Sequence, residues 1–227
     1  MRISVIVPTL DEEARIGALV ETLHRQGFEE IIVSDGASND DTKRRAQAAG
    51  AIVVDAPRGR GRQLQRGAAA ASGDGLFFLH ADSVPPDDAH AIIERTLSAC
   101  GVVAGCFRLE FDQPHPLLDV YAYMSRINHD VFTFGDQGFF IGRVAYDRLG
   151  GYAAVPVFED TDIVRRVRRA GRFVKRGEPM TTSARRFLRD GIFRRQLANA
   201  GLVSLYRLGV SPERLSRWYR SDKVRRE

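Results

Sequence analysis

The sequence predicts an α/β fold in which helices cover both faces of a mostly parallel sheet. Short, wholly apolar runs recur through residues 1–110, and segments with apolar residues at helical spacing separate them. Gly, Asp and Asn residues mark the boundaries between the two kinds of segment. Parallel strands are buried on both faces and are joined by right-handed crossovers, so this alternation is typical of β-α units in one sheet.

The elements of the first half follow in a regular order. Four strands are predicted at residues 1–8, 31–35, 51–54 and 76–82. The helices that follow them are predicted to close at Gly27, to run to Ala49, to run through Ala71, and to include Ile92, Ile93 and Leu97. In the first of these helices the apolar positions recur at i, i+3, i+4 and i+7, which marks one buried face.

The second half is less regular. Strands are predicted at residues 102–110 and 137–141. Helices are predicted at residues 117–127, 162–170 and 192–208, the second of them basic and stopped by Gly171, the third with its apolar residues on one face. No repeat and no linker separates the halves, so the prediction is one domain with a helical C-terminal extension.

Composition excludes several classes of protein. The 227 residues are 44% hydrophobic and 28% charged, which is ordinary for a globular chain. The only cysteines, Cys100 and Cys106, form no CxxC pair, so a zinc or disulfide framework is not expected and a reducing compartment fits. No apolar stretch reaches about 18 residues and the first apolar run is too short for a signal peptide, so cytoplasmic residence is expected.

The charge is divided unevenly along the chain. Residues 1–160 hold 15 Lys and Arg against 23 Asp and Glu, whereas residues 161–227 hold 19 against 6. This division predicts that the C-terminal part meets an anionic partner, either a diphosphate, a lipid headgroup surface or a nucleic acid. The alternative is a solvated basic face.

Two carboxylates follow apolar runs and mark a candidate ligand edge. Asp35 and Asp82 each come after a predicted strand, and ligands of open α/β sheets bind outside the carboxyl ends of the strands. A nucleotide and a metal ion suit such a pair, with Asp82 and the neighbouring His80 placed where a divalent ion would bridge a diphosphate. The alternative is that each aspartate only caps a helix or forms a turn.

Three further segments carry candidate chemistry. The loop 58–62 alternates Arg and Gly, which suits phosphate contact, although a surface turn is the alternative. Glu159 and Asp160 form an acidic pair that offers a general base or caps the basic helix. Residues 135–138 form a polar turn before an apolar strand, with an ordinary hairpin entry as the alternative.

Several segments resemble family-2 glycosyltransferases of the GT-A fold, namely residues 8–13, 33–40 and 80–83. A closer likeness is to the arsenosugar biosynthesis glycosyltransferase branch. It rests on residues 57–64, 135–138, 159–160, 181–186 and 206–213. The resemblance implies a GT-A-like, Rossmann-like domain over residues 1–227, with a nucleotide-sugar-binding part at 1–110 and an acceptor-binding part with the basic extension at 111–227.

The resemblance also implies roles for single residues. The nucleotide would be held by Pro8, Thr9, Asp11, Asp35, Arg58, Arg62 and Ala81. Asp82 would hold Mg2+ or Mn2+ on the diphosphate, Asp160 with Glu159 beside it would take the acceptor's proton, and Asp136 and Gln137 would contact the acceptor. One departure is His80, which stands where the family's usual Asp-x-Asp has its first aspartate.

The predicted activity is an inverting, non-processive transfer of a sugar, with a UDP-sugar favoured as donor and a small or lipid acceptor. The Gln-x-x-Arg-Trp motif of processive relatives is absent, which favours transfer of a single sugar. The alternatives are a nucleotidyltransferase acting on a sugar phosphate and a non-catalytic basic module that binds anionic membrane or nucleic acid. Peripheral contact with the inner face of the membrane and a homodimer are further expectations.

Overall fold

The computed structural model describes the backbone of residues 1–224 and side chains as far as residue 218. Within that range it leaves out the side chains of Arg186, Asp190, Arg194, Arg195, Gln196 and Asn199. Arg186, which belongs to one of the motifs above, therefore lies outside the described side chains.

The strands are β1 (Ile3–Thr9), β2 (Glu30–Asp35), β3 (Ile52–Asp55), β4 (Gly75–Phe78), β5 (Ser83–Val84), β6 (Val102–Phe111), β7 (Phe139–Gly142) and β8 (Arg172–Thr182). The helices are α1 (Ile16–Arg25), α2 (Thr42–Ala48), α3 (Arg60–Ala70), α4 (Ala89–Leu97), α5 (Pro116–Met124), α6 (Arg143–Arg148), α7 (Glu159–Ala170), α8 (Arg185–Asp190), α9 (Ile192–Arg207) and α10 (Pro212–Val224). Single 3-10 turns lie at Asp130–Phe132 and Gly135–Gln137.

All eight strands join one sheet in the order β3-β2-β1-β4-β7-β6-β8-β5. The strands β1, β2, β3, β4, β6 and β8 share one direction, while β7 and β5 run antiparallel to their neighbours. The predicted mostly parallel α/β sheet is therefore confirmed. Its parallel strands bring their carboxyl ends to one edge, where the loops after β1, β2 and β4 meet.

Two apolar cores cover the two faces of the sheet. One gathers Val5 and Val7 of β1 with residues of α1 and α4. The other gathers Ile6 with Leu64 of α3 and Ile163 of α7. Neighbouring residues of β1 contribute to different cores because successive side chains of a strand point to opposite faces of the sheet. The helices α3 and α7 share one core and therefore lie on the same face.

The structure departs from the sequence-based expectations in the second half. The strand β8 was not predicted, because its charged residues and a register break against β6 hide the apolar pattern. The single apolar face expected for the helix at 192–208 is wrong, since Phe193 and Leu197 are 72% and 65% exposed whereas Ile192 is buried. Among the described helices, none has the length and apolarity that a bilayer crossing requires.

The close approach of α3 to β1 depends on a missing side chain. A methyl group at Gly67 would run into Cγ2 of Ile6 and lie 3.4 Å from Cβ of Ser34. We therefore expect Gly67→Ala to lower the free energy of unfolding by about 1–3 kcal/mol in urea titrations, despite alanine's better helix propensity.

Gly201→Ala is the matched control, because it is also a helical glycine but has no atom within 4 Å of the added methyl. That substitution should leave stability unchanged or raise it by up to about 1 kcal/mol. Equal effects of the two variants would show that α3 does not need this contact.

Candidate active site

The loops after β1 and β2 are bonded into one rigid rim. The Asp11 N–H donates to Ser38 Oγ at 2.9 Å, and the Asn39 N–H donates to Asp11 Oδ1 at 2.8 Å. The Asp41 N–H donates to Glu13 Oε2 at 3.1 Å. Asp11 itself adopts a left-handed backbone with a φ of 54°. These reciprocal bonds fix the shape of the sheet edge at which a nucleotide was predicted to bind.

Asp35 lies beneath this rim and is completely buried. Its carboxylate accepts from the Ser38 N–H at 2.9 Å, from Ser38 Oγ at 2.5 Å and from Thr9 Oγ1 at 3.3 Å. The side chain of Asp35 therefore stabilises the turn after β2. Turn formation is the alternative to ligand binding that the sequence left open for this residue. Thr9 is buried with it, whereas Asp11 stands exposed at the rim.

The loop 58–62 and the start of α3 lock the ends of β1 and β2 together. Gln63 Nε2 donates to the Thr9 carbonyl at 2.6 Å and to the Ser34 carbonyl at 3.1 Å. Arg58 is exposed, and its guanidinium donates to the carbonyls of residues 36 and 37. Arg62 is exposed on α3. Gln63 was not predicted as a site residue. The feature of the sequence that could have indicated it is its position directly after Arg62, the last arginine of the loop.

The middle arginine of the loop, Arg60, turns inward and connects the two halves of the chain. Its guanidinium forms ion pairs with Asp160 and, at 3.4 Å, with Glu159. Although burial alone lowers the pKa of Arg60, these two carboxylates outweigh it and raise that pKa above its ordinary value. The hydroxyl of Tyr152 donates to Asp160 Oδ1 at 3.2 Å. Neither Arg60 nor Tyr152 was singled out from the sequence.

The two members of the acidic pair have different positions. Asp160 lines a cleft, whereas Glu159 is 5% exposed and lies behind it. Burial raises the pKa of Glu159, opposed by Arg60 and reinforced by the negative charge of Asp160. The cleft is walled by Pro8, Arg60, Leu64, Phe78, Leu79, His80, Gly135, Tyr152 and Asp160. Asp160 is therefore the carboxylate that a bound molecule can reach.

Two glycines allow this packing. A methyl group at Gly61 would lie 2.6 Å from the Ala153 carbonyl, so the glycine makes room for the protein's own segment before α7. A methyl group at Gly135 would strike the Arg60 guanidinium and the Asp160 carboxylate. The glycines of the loop 58–62 were expected to admit a phosphate; at Gly61 the protein's own backbone fills the space beside the glycine.

The turn 135–137 contributes one charged group to the site. Burial raises the pKa of Asp136 to about 7, Arg60 opposes this shift, and the negative charges of Asp160 and Asp82 reinforce it. The Oδ1 atom of Asp136 is buried and accepts no hydrogen bond from the described residues. Gln137 is completely buried, with its amide bonded to the Phe132 carbonyl and the thiol of residue 106. Gln137 therefore does not fit the acceptor contact predicted for it.

The loop after β4 carries the predicted metal ligand. Ala81 is buried and Asp82 is half-buried, and the Ser183 N–H donates to the Asp82 carbonyl at 3.1 Å. Ser83 of β5 meets Thr182 of β8, with their hydroxyl oxygens 3.0 Å apart. The unpredicted strand β8 thus holds the Asp82 loop in place. Within the described residues no three His, Cys, Asp or Glu side chains are gathered to hold a metal ion by themselves.

The sequence of residues 4–154 matches the model of the family described as Glycosyl transferase family 2. Among curated proteins the chain is similar to glucosyl-3-phosphoglycerate synthases. The protein of Mycolicibacterium smegmatis is 39% identical over 97 residues and that of Mycobacterium tuberculosis H37Rv 38% over 96. Each match covers 37% of this chain, and it spans about a third of the relatives' length, 32% and 30%.

Solved structures share the fold. The Mycobacterium tuberculosis glucosyl-3-phosphoglycerate synthase in complex with Mn2+, UDP-glucose and phosphoglyceric acid aligns with a TM-score of 0.58 and 21% identity, over 79% of this chain and 71% of that chain. A mannosyltransferase from Pyrobaculum calidifontis in complex with GDP-mannose and Mn2+ aligns with a TM-score of 0.64 and 21% identity, over 79% of this chain and 56% of that chain. These matches support the α/β assignment, while the arsenosugar branch stays a prediction.

The raised pKa of Asp136 predicts a pH-dependent cost to folding. Because that pKa is raised from 3.8 to about 7, the folded protein keeps a proton that the unfolded chain loses, and stability falls as the pH rises from about 4 to about 7. Asp136→Asn should therefore raise the midpoint of thermal unfolding by a few degrees at pH 8 and by less at pH 5. The midpoints are measured in buffer that contains a metal chelator.

Asp147→Asn serves as the control, because that carboxylate is 61% exposed on α6. It should change the midpoint little at either pH. A gain for Asp136→Asn that is the same at pH 5 and pH 8 would show that the carboxyl group titrates normally.

Proposed function

The chain belongs to glycosyl transferase family 2, and we propose that it transfers one sugar from a nucleoside diphosphate sugar to a hydroxyl group. The observation that carries the proposal is the cleft in which Asp160 meets Arg60, beside the loop of Asp82. This arrangement provides one base for an acceptor and cationic groups for a diphosphate. We propose residues 1–110 as the nucleotide-sugar-binding part and residues 111–227 as the acceptor-binding part.

The transfer is a single in-line displacement. The acceptor hydroxyl gives its proton to the Asp160 carboxylate, its oxygen bonds to the anomeric carbon, and the bond from that carbon to the diphosphate breaks. The nucleoside diphosphate leaves with the electron pair, and the configuration at the anomeric carbon is inverted. One carboxylate suffices for this reaction, and Tyr152 keeps Asp160 oriented through its hydrogen bond.

In this mechanism Arg60 can bind either the acidic pair or the diphosphate of the donor. Its guanidinium forms ion pairs with Asp160 and Glu159. A diphosphate offers the same guanidinium bidentate oxygens at the front of the cleft. Movement of Arg60 toward the diphosphate would free Asp160 to accept the proton, and Glu159 would keep the arginine near the site. Glu159 is therefore proposed as a positioning residue and Asp160 as the catalytic residue.

A divalent cation fits the donor set of the site. Asp82 and Asp136 are hard oxygen donors, and the buried Oδ1 of Asp136 accepts no hydrogen bond from the described residues. Mg2+ and Mn2+ commonly take one or two carboxylates and complete their shell with substrate phosphates, which agrees with a site that gathers no third protein ligand among the described residues. We propose Asp82 as the main ligand. The cation supplies neutralising charge on the leaving diphosphate.

The nucleoside would lie on the rim formed by the loops after β1 and β2. Pro8 borders the cleft, Asp11 stands exposed at the rim, and Arg58 flanks the turn after β2. The Asp35 carboxylate accepts three hydrogen bonds, which leaves one acceptor site for an N–H of the base. Because Asp35 is completely buried, the turn after β2 would have to open for the base to reach it. UDP-sugars are favoured, in line with the UDP-glucose in the mycobacterial structure. The acceptor is proposed to be a small molecule or a lipid that lies against Asp160 and also contacts Asp136.

The cellular setting is part of the same proposal. A cytoplasmic protein that meets the inner face of the membrane would bring the basic part of the chain to anionic lipids. A homodimer is the alternative assembly to a monomer. Neither is needed for the displacement at Asp160.

The proposed base makes the sharpest test. Asp160→Asn should lower the rate of nucleoside diphosphate release in the presence of acceptor by about 10³-fold, because an amide cannot take the proton. Binding of the nucleoside diphosphate should remain measurable, since the nucleotide rim is unchanged. Asp87→Asn, at an exposed carboxylate before α4, should keep the full rate. A wild-type rate in Asp160→Asn would remove this residue from the mechanism.

The proposed metal ligand predicts a second result. UDP at about 100 times its dissociation constant should stabilise the protein by about 2.7 kcal/mol, seen as a higher thermal midpoint, and Mn2+ should increase the shift. In Asp82→Asn the part of the shift that depends on Mn2+ should vanish, while the control Asp88→Asn keeps it. A larger shift with GDP than with UDP would reverse the choice of donor, and an undiminished Mn2+ effect in Asp82→Asn would place the cation elsewhere.

A further inference from the structure

The helix α5 leaves an apolar face uncovered. Five side chains along one side of α5 and the turn after it are 36–67% exposed: Leu117, Val120, Tyr123, Met124 and Ile127. They recur at i, i+3, i+6, i+7 and i+10, so they form one continuous stripe, while Leu118 on the opposite side is fully buried. We call these five residues the apolar stripe. Single exposed apolar side chains are ordinary, whereas a contiguous set indicates a contact surface.

A basic pocket opens at the C-terminal end of this helix. It is lined by Arg108, Arg126, Lys175, Arg176 and Gly177, and these four cations define what we call the basic pocket. The Lys175 ammonium donates to the carbonyls of residues 127 and 132, at 3.1 and 2.7 Å. These bonds hold the lysine at the pocket, and among the described residues no carboxylate forms an ion pair with it. Arg108 and Arg176, by contrast, each have a glutamate partner.

The stripe and the pocket are one surface. The guanidinium of Arg126, which lines the pocket, lies over the ring of Tyr123 in the stripe, 5.4 Å from its centroid. The Ile127 side chain belongs to the stripe, and its carbonyl accepts from Lys175 of the pocket. The neighbouring helix α9 packs against α5.

We propose that this surface docks the protein on an anionic phospholipid membrane. The apolar stripe would enter the boundary between headgroups and acyl chains, and the basic pocket would receive the phosphodiester of a headgroup. Tyr123, with an apolar ring and a polar hydroxyl, suits that boundary. The inference deepens the membrane contact proposed above and rests on it, and it moves that contact from the C-terminal third in general to a defined face.

The chemistry of the surface favours a membrane over other occupants. A second copy of the chain would bring one cationic pocket against another, which opposes pairing through this face. A free phosphate would satisfy the pocket but would leave the stripe exposed to water. An anionic bilayer matches both, since it offers negative headgroups and apolar depth together.

Sedimentation with vesicles tests the proposal, using the full chain and no nucleotide sugar. The wild-type protein should bind vesicles of phosphatidylglycerol and phosphatidylcholine at low salt, and pure phosphatidylcholine far less. The stripe variant Val120→Ser/Tyr123→Ser should bind about tenfold more weakly. The pocket variant Arg126→Gln/Arg176→Gln should bind the vesicles about 30-fold more weakly, because each cation near the surface contributes roughly 1 kcal/mol to binding.

Matched controls come from α6. Its backbone begins by bonding to the Asp74 carbonyl, just before the amino end of β4, so it lies at the opposite edge of the sheet. Val144 is 71% exposed there and Arg148 is exposed as well. Val144→Ser and Arg148→Gln should bind vesicles as the wild type does. All variants change exposed side chains except at Arg176, which is half-buried and paired with Glu178. Their thermal midpoints should agree with that of the wild type, which shows that each variant is folded.

Several results would overturn the proposal. One is the absence of wild-type binding to the anionic vesicles, and another is equal binding by the stripe variant and its control. A phosphate site would be identified instead if the pocket variant loses vesicle binding, the stripe variant keeps it, and inorganic phosphate competes with the vesicles. A wild-type dimer in sedimentation velocity that the stripe variant converts to a monomer would identify a subunit interface. Because no sugar is transferred in the assay, a negative result would leave the proposed reaction untouched.

Discussion

The contact between Arg60 and the acidic pair at the start of α7 is the interaction on which the site depends. Arg60 begins α3, which packs on the first strands, whereas Glu159 and Asp160 begin the helix that covers the second half of the sheet. One guanidinium therefore fixes the distance between the nucleotide rim and the proposed base. Removing either partner would leave a charge in a partly buried cleft, which costs far more than an exposed ion pair contributes.

The backbone around this contact is adapted to it. Gly61 lets the segment before α7 approach α3, and Gly135 leaves room for the paired guanidinium and carboxylate. Phe158, immediately before the acidic pair, has a left-handed φ of 65°, and its ring stacks on Tyr206 of α9 at 4.6 Å between centroids. A phenylalanine in that conformation is costly unless the surroundings hold it. The C-terminal helices thereby help to position the acidic pair, although they lie outside the cleft.

The sequence predicts the first half of the fold well because each strand there is buried on both faces and shows as an apolar run. It fails for β8, because this strand carries several charged residues and pairs with β6 through a register break. It also fails for the exposed face of α9, since periodicity alone cannot say which neighbour will cover an apolar side chain. The acidic pair and Asp82 could be predicted as types of residue at strand and helix ends. The sequence could not predict which arginine of the loop turns inward, because that depends on α3 beginning at Arg60.

The charge balance of the cleft connects the structure to its proposed chemistry. The carboxylates of Asp160 and Glu159 pair with the Arg60 guanidinium. Burial raises the pKa of Asp136 to about 7, and the negative charges of Asp160 and Asp82 reinforce that shift. A site with this excess of carboxylates would repel a bare diphosphate. It would accept a diphosphate that arrives with a divalent cation, because the pair adds little net charge and the cation offsets the carboxylates. Arg60 is then the group whose partner can change at least cost. The arginine that pairs with the proposed base is thus also the one best placed to release it when the donor binds.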